Sequence, residues 1–302
     1  MDNAFENRLV GVVGADNMRV AEPMSMHTTF RVGGPADYFV TPDSAEAVQG
    51  VVSLCREADV PLYVMGCGSN LLVADEGLRG VVMRIGPKYS VVKVQEDGSV
   101  FAEAGATNAK VARAALDAGL AGFEFAAGIP GSIGGAAIMN AGAYGGELRD
   151  VATGVTCLRP NGAIEHLTAD EADWSYRHSR MADDGSIVLS VDLQLKRDDP
   201  AAIEARMAEL AQRRSDKQPL DLPSAGSTFK RPAGHFAGKL IQDAGMQGHT
   251  VGGAQVSTKH AGFVVNIGDA TAADIMKVIE DVQAAVHAQF NVELEPEVRI
   301  WR

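Results

Sequence analysis

Gly128-Ile129-Pro130-Gly131-Ser132-Ile133-Gly134-Gly135-Ala136-Ala137-Ile138-Met139-Asn140-Ala141-Gly142-Ala143-Tyr144-Gly145-Gly146 is the stretch on which the reading of the fold turns. Seven glycines fall within these nineteen residues. Inside a regular element each glycine costs roughly 0.5–1 kcal/mol relative to alanine, because it loses more backbone freedom on folding. Such a segment persists where backbone must lie against something large and flat. A planar ligand meets that description, and so does close helix–strand packing; the segment alone leaves both open.

A second glycine loop lies upstream, Met65-Gly66-Cys67-Gly68-Ser69-Asn70-Leu71-Leu72, directly after an apolar strand over residues 62–65. Glycines two apart permit a tight turn and close approach of backbone to a ligand. Ser69, Asn70 and successive N–H groups can form an anion-binding nest, which suits a diphosphate. The Rossmann fingerprint fails, because Leu71 stands where its third glycine belongs, and no Walker pattern occurs. A turn that holds no ligand is the other reading of this loop.

Around these loops the pattern is mixed. Residues 31–86 read as β-α-β-β: an alternating strand at 31–40, a helix at 44–58 behind Pro42-Asp43-Ser44, and short apolar strands at 61–65 and 80–85. From residue 91 a strand pair turns at Asp97-Gly98, a helix covers 108–118, and strands follow at 151–159, 163–167 and 187–196. Asn161-Gly162 signals a hairpin with a type I′ turn. Asp198-Asp199-Pro200 caps a helix predicted over 201–214, with apolar residues at 203, 207, 210 and 211. The remainder predicts a helix at 237–244, a strand at 262–266, a helix at 271–290 and a closing strand at 294–301.

Bulk properties narrow the function. The 302 residues carry a formal charge of -12, with 27 basic residues dispersed along the chain, which argues against nucleic-acid and anionic-membrane surfaces. Residues 1–19 contain no apolar signal core and no apolar run reaches membrane-spanning length, so a cytoplasmic protein is expected. Cys55, Cys67 and Cys157 are widely spaced and the seven histidines form no ligand pair, so neither a disulfide framework nor a metal site is expected.

The motifs G-x-G-S-N-L-L at 66–72 and I-P-G-x-x-G-G…N-x-G-A-Y-G at 129–145 resemble those of the UDP-N-acetylenolpyruvoylglucosamine reductase family. The likeness runs from Thr29-Phe30-Arg31-Val32-Gly33-Gly34 to Glu295-Pro296-Glu297-Val298-Arg299. It implies an α+β protein of three domains. Residues 1–86 and 87–200 would form a non-Rossmann FAD-binding fold of the vanillyl-alcohol oxidase (PCMH) type, and 201–302 an α+β substrate domain. FAD, held without a covalent tether, would meet Gly66, Gly68, Ser69, Asn70, Leu71, Ile129, Gly131, Gly134, Gly135, Ile138, Asn140, Gly142 and Ile187.

The resemblance also implies a reaction, in which NADPH, through FAD, reduces the enol-ether double bond of a UDP-sugar, UDP-N-acetylglucosamine-enolpyruvate. Hydride addition leaves enolate charge beside a carboxylate, so the site needs a stabilising cation and a proton donor. Arg177 in Trp174-Ser175-Tyr176-Arg177-His178-Ser179 is implied as the cation and Ser227 in Ser224-Ala225-Gly226-Ser227-Thr228-Phe229-Lys230 as the acid. Glu297 is implied as the partner of the arginine; Glu295 would share its face in an extended strand, so register alone does not choose between them. Tyr176, Lys217 and Lys230 are implied as substrate contacts, whereas Asn266 and His260 read as structural.

Only 50 residues separate Arg177 from Ser227, which matches the shorter (type II) form of the family. A monomer is expected. Two other functions stand beside this one: an FAD-dependent oxidase of the same fold, and a nucleotide-sugar binding protein without catalysis.

Overall fold

The computed structural model describes residues 3–302. Among them run eight α-helices: α1 (Asn3–Val13), α2 (Ala45–Glu57), α3 (Asn108–Asp117), α4 (Ile133–Met139), α5 (Arg180–Asp184), α6 (Pro200–Lys217), α7 (Ala237–Asp243) and α8 (Ala272–Phe290). None is long and apolar enough to cross a membrane. The chain divides into two compact units. The first takes the chain up to Val20, Tyr38–Cys67 and Gly80–Arg214; the second takes Ala21–Asp37, Gly68–Arg79 and Ser215–Arg302.

The first unit is built on a five-stranded antiparallel sheet in the order Ile164–Thr168, Ala152–Leu158, Ile187–Gln194, Ser99–Glu103, Val92–Val94. Val155, Val191 and Ala102 lie in register across its three central strands and are fully buried, so one face of the sheet is core. Cys157 shares that face, and burial pushes its thiol up to about 12, which leaves it inert as a nucleophile. Helix α4 closes over this sheet, with the N–H of Gly134 donating to the carbonyl of Ala104 at 3.0 Å.

Helix α1 has no counterpart among the expected elements. Phe5, Leu9 and Val13 recur every four residues and are buried, giving the apolar stripe that drives the helix onto its neighbours. The Phe5 and Tyr38 ring centroids are 5.6 Å apart. Gly50 permits close approach of α1 to α2, since a Cβ there would lie 2.7 Å from a methyl carbon of Val12.

The hairpin at Asn161-Gly162 forms with a different turn from the one expected. Gly162 has φ +91°, but Asn161 stays outside the positive-φ region that a type I′ turn demands at both central residues. Instead the Gly162 N–H donates to the Arg159 carbonyl, and the Asn161 side chain accepts the N–H of Ala163. The asparagine's own Asx hydrogen bond replaces the left-handed conformation.

In the second unit, Thr250–Val251, Ala254–Val256 and Val264–Asn266 form a small antiparallel sheet. Helix α8 buries Ile275, Val278, Ile279, Val282 and Val286, the spacing of a single helical face. Its start is fixed twice. Thr271 and Asp274 form a reciprocal capping box, and the Asp75 carboxylate accepts the N–H groups of Ala272 and Ala273 at 2.8 and 3.0 Å.

The closing strand is shorter than expected. Only Arg299–Trp301 is strand, running parallel to Leu71–Val73. Pro296 has no N–H to contribute to a ladder, and the residues around it bond elsewhere: Lys230 N–H to the Glu295 carbonyl at 2.9 Å, and Glu297 N–H to the Thr228 carbonyl at 2.8 Å. Glu295 and Glu297 flank an isolated antiparallel bridge between Pro296 and Phe229 and lie outside the closing strand.

Candidate active site

In the first unit the two glycine loops meet directly. A Cβ on Gly66 would lie 2.2 Å from the Ser132 hydroxyl oxygen, so a side chain at 66 would displace the hydroxyl that caps α4. The long glycine segment is a short helix followed by a hairpin. Ser132 caps α4 by accepting the Gly135 N–H, and Gly142–Ala143 pairs with Gly146–Glu147. Gly134 faces inward, where its Cβ would stand 2.7 Å from that of Ala104; helix–strand packing explains this glycine, whereas Gly135 is exposed. Gly131, at φ +135°, takes a conformation that favours glycine, and Ile129, Ile138 and Ile187 are half-buried.

Asn140, expected to meet the cofactor, is instead wholly enclosed in protein. It ends α4 in a left-handed conformation, and its amide donates to Glu147 at 2.9 Å and to the Ser175 carbonyl at 3.0 Å. Its oxygen accepts the Arg149 N–H at 3.0 Å. One buried amide thus ties the helix end, the hairpin and the loop that leads to Arg177.

That loop is pinned on both flanks by α4. The Trp174 indole N–H donates to the Ala137 carbonyl at 2.7 Å, and the Ser179 hydroxyl donates to the Ile138 carbonyl at 2.8 Å. Between these anchors Ser175 and His178 exchange backbone hydrogen bonds, and Arg177 is held at φ +54°. A positive φ at a non-glycine residue is uncommon and persists only where its surroundings fix it. The Arg177 guanidinium lies 5.1 Å from the centroid of the exposed Tyr176 ring, and one of its nitrogens is 3.5 Å from the Gly142 carbonyl.

A second guanidinium reaches the same hairpin. Arg214, on α6, is 7% exposed and lies 5.6 Å from the Tyr144 ring centroid. Among the described residues, its Nε and Nη1 have no hydrogen-bond acceptor. Two arginines on a chain of net charge -12 are thus collected at the glycine segment. The orphaned buried N–H groups suit an anionic ligand, so the donor set fits a dinucleotide.

The second unit carries Ser227 and Glu297. Ser227 is exposed and follows Gly226 at φ +75°, while its other neighbour, Thr228, is fully buried and fixed three ways. The Thr228 N–H donates to the Gly262 carbonyl, its hydroxyl accepts the Val264 N–H at 3.0 Å, and its carbonyl accepts the Glu297 N–H at 2.8 Å. The Glu297 carbonyl accepts the side-chain amide of Asn70 at 3.0 Å. Gly68, Ser69, Asn70 and Leu71 of the first glycine loop therefore belong to the unit that holds Glu297, with Leu71 paired to Arg299.

Glu295 is exposed and paired with Lys230 at 2.5 Å, so this lysine, implied as a substrate contact, already has a carboxylate partner. Lys217 is exposed at the end of α6. His260 accepts the Gly262 N–H at 3.1 Å and packs edge-on against Phe263; burial holds its imidazole below the ordinary value. Asn266 donates to the Phe30 carbonyl and accepts from Gly268 and Ala270. The sequence reading passed over Thr228, Trp174 and Arg214.

Comparison with known proteins agrees with this architecture. Residues 36–168 match the FAD binding domain family, and 65% of the chain shares its fold with 43% of 4-ethylphenol oxidase from Gulosibacter chungangensis (TM-score 0.50, 19% identity). The protein is an FAD-binding flavoprotein fold with an additional domain, and its redox cofactor is FAD. Residues 218–301 match the family described as UDP-N-acetylenolpyruvoylglucosamine reductase, C-terminal domain. The reductase of that name from Agathobacter rectalis is 51% identical over 290 residues, covering 92% of each chain, and that from Alkaliphilus oremlandii is 47% identical over 97% of this chain and 96% of its own. The crystal structure of the Thermus caldophilus enzyme superposes with a TM-score of 0.80 at 35% identity, over 94% of this chain and all of that one. The chain belongs to the UDP-N-acetylenolpyruvoylglucosamine reductase family.

Proposed function

We propose that the protein reduces UDP-N-acetylglucosamine-enolpyruvate to UDP-N-acetylmuramate, a peptidoglycan precursor, as a cytoplasmic monomer with NADPH as reductant and non-covalent FAD as carrier. The observation that carries this reading is the clamp on Thr228, which fixes Ser227 on one backbone stretch and Glu297 on the stretch hydrogen-bonded to it. Support comes also from the family, whose named members act on the enolpyruvyl sugar nucleotide.

Bound FAD supplies hydride-transfer chemistry. The residues of the chain deal with what hydride addition leaves behind. Arg177 offers a planar guanidinium, suited to a substrate carboxylate and to the enolate charge that grows beside it. Ser227 gives its hydroxyl proton to the carbon next to that carboxylate. A serine is a weak acid, but a carbanionic enolate is a stronger base than an alkoxide that is stabilised by neighbouring charge, so the proton moves downhill. Glu297, half-buried, orients and polarises the same end of the substrate, while Glu295 is engaged with Lys230 at the surface. Tyr176 and Lys217, both exposed, are available to the nucleotide. Gly66, Gly68, Ser69, Asn70, Leu71, Ile129, Gly131, Gly135, Ile138, Gly142 and Ile187 are the positions assigned to cofactor contact.

The test is optical. Purified protein loaded with FAD should be yellow, bleach on anaerobic addition of NADPH, and regain colour when the enolpyruvyl nucleotide is added. A chain that cannot be loaded with FAD, or that reoxidises only with oxygen, would overturn the proposal.

A further inference from the structure

The buried side chain of Asn266, in the second unit, bonds in two directions. Its oxygen accepts the N–H groups of Gly268 and Ala270 at 3.0 and 3.3 Å, which closes the local turn that leads into α8. An aspartate would close that turn equally well. Only an asparagine also has an N–H to give, and Asn266 gives it to the Phe30 carbonyl at 3.1 Å, 236 residues away in sequence. The donor half of the amide therefore makes a tertiary bond that the local turn does not require.

Phe30 lies in a turn under strain. Arg31 beside it sits at φ +59°, a conformation uncommon for a residue with a Cβ and kept only where the surroundings hold it. The Thr28 hydroxyl donates to the Val32 carbonyl at 2.8 Å, the Arg31 N–H donates to the Thr28 carbonyl at 3.1 Å, and Asn266 secures the carbonyl of the peptide between Phe30 and Arg31. This turn holds the first glycine loop, because the Thr29 N–H donates to the Gly68 carbonyl at 3.1 Å. The backbone of Asn266 leads the other way, toward Ser227. Its N–H donates to the Pro223 carbonyl at 2.9 Å, and its neighbour Val265 bridges Ser224, where the segment that carries Ser227 begins. Through three hydrogen bonds within one compact unit, Gly68 to Thr29, Phe30 to Asn266 and Asn266 to Pro223, a single residue joins the stretch that carries Ser227 to the glycine loop.

We infer that Asn266 is a positioning residue for the reduction: its side-chain N–H sets where the Ser227 hydroxyl stands relative to the first glycine loop. This rests on the proposed roles of FAD and Ser227. A proton donor depends on placement, since a displacement of about 1 Å costs on the order of a hundredfold in rate. Reduction of the flavin by NADPH makes no use of Ser227 and should not feel the change.

Asn266→Asp keeps the oxygen that faces Gly268 and Ala270 and replaces the donor with an acceptor. Thr271→Ala, which removes the α8 cap beside the same turn, is the control for lost stability alone. With FAD saturating, Asn266→Asp should be reduced by NADPH at the parental rate, while its reoxidation by the enolpyruvyl nucleotide slows at least about tenfold. Thr271→Ala should melt lower with both half-reactions parental. Arg31→Gly removes the Cβ penalty at φ +59°, so adding it to Asn266→Asp should restore part of the lost rate. The inference is overturned by an Asn266→Asp protein whose half-reactions are both parental or both slowed alike, by a Thr271→Ala protein slowed in the same way, or by a double variant no faster than Asn266→Asp. If Asn266→Asp does not fold, Thr28→Val decides, because it removes the other side-chain bond of the turn. Selective slowing of reoxidation in that variant supports the inference, and an unchanged rate overturns it. Failure of the parent to reoxidise with the nucleotide would instead remove the proposed function, a different result from a working parent that is indifferent to residue 266.

Discussion

The backbone N–H of Glu297 donates to the carbonyl of Thr228 at 2.8 Å, and that one bond places the glutamate's backbone beside the serine that precedes the threonine. Because Thr228 is also held through its N–H and hydroxyl, removing the Ser227 hydroxyl leaves the surrounding backbone intact. Ser227→Ala should therefore keep the parental melting temperature and fast reduction of FAD by NADPH. Reoxidation by the enolpyruvyl nucleotide should slow by about 100-fold or more, the usual scale for losing a positioned acid. Stopped-flow absorbance separates the two half-reactions, and equal slowing of both would remove Ser227 from the role of proton donor.

Asn70 and Glu297 lie 227 residues apart in sequence, joined by an amide-to-carbonyl hydrogen bond of 3.0 Å. Asn70→Ala deletes it and leaves a part-buried carbonyl without that donor, a loss of about 1–2 kcal/mol in stability by chemical denaturation. Since the bond fixes the backbone of Glu297, the substrate half-reaction should slow in the same variant beyond any loss of FAD affinity. Weaker FAD binding with an unchanged substrate half-reaction in the fully loaded protein would show that Asn70 serves the cofactor alone.

Gly134 separates packing from ligand binding within the glycine segment. Its Cβ would stand 2.7 Å from that of Ala104 in a fully buried setting, so Gly134→Ala should cost about 1–3 kcal/mol through overpacking. Gly135→Ala, one residue on and exposed, should cost far less stability. Thermal melts of the FAD-free variants decide the matter; similar losses at both positions would contradict the packing account.

Local chemistry made much of this legible. The Ser44, Thr107 and Thr271 caps, the 3.6-residue stripe of α8 and the two glycine loops all carry short-range signals. The return of Arg299–Trp301 onto Leu71–Val73 does not, because a parallel pairing across most of the chain leaves no mark in either three-residue strand. Asn161 misled because asparagine satisfies a turn either by adopting positive φ or by an Asx bond, and sequence does not distinguish them. Arg214 could have been found. It continues the apolar positions of α6 at 203, 207, 210 and 211, lying four and three residues beyond the last two, and a buried charge on that spacing asks what it binds.

His178 links the Arg177 loop to pH. Its Nε2 is 2.8 Å from an Asp183 carboxylate oxygen, and that hydrogen bond holds the imidazole above its ordinary value. The sign follows from linkage. With the folded value raised, the pair's contribution is complete below the imidazole's unfolded value and is lost as pH rises through the raised folded one. The pair is solvent-screened, so its effect should be local rather than global. Asp183→Asn should lower the His178 titration midpoint, read by NMR, toward that of a free imidazole. In the parent protein, amide exchange over residues 174–179 should quicken across the same pH window, because His178 is one end of the backbone bridge that keeps Arg177 at φ +54°. In Asp183→Asn the quickening should shift to lower pH or vanish. A midpoint indifferent to Asp183, or exchange that is flat across the window in the parent, would detach this histidine from the arginine's support.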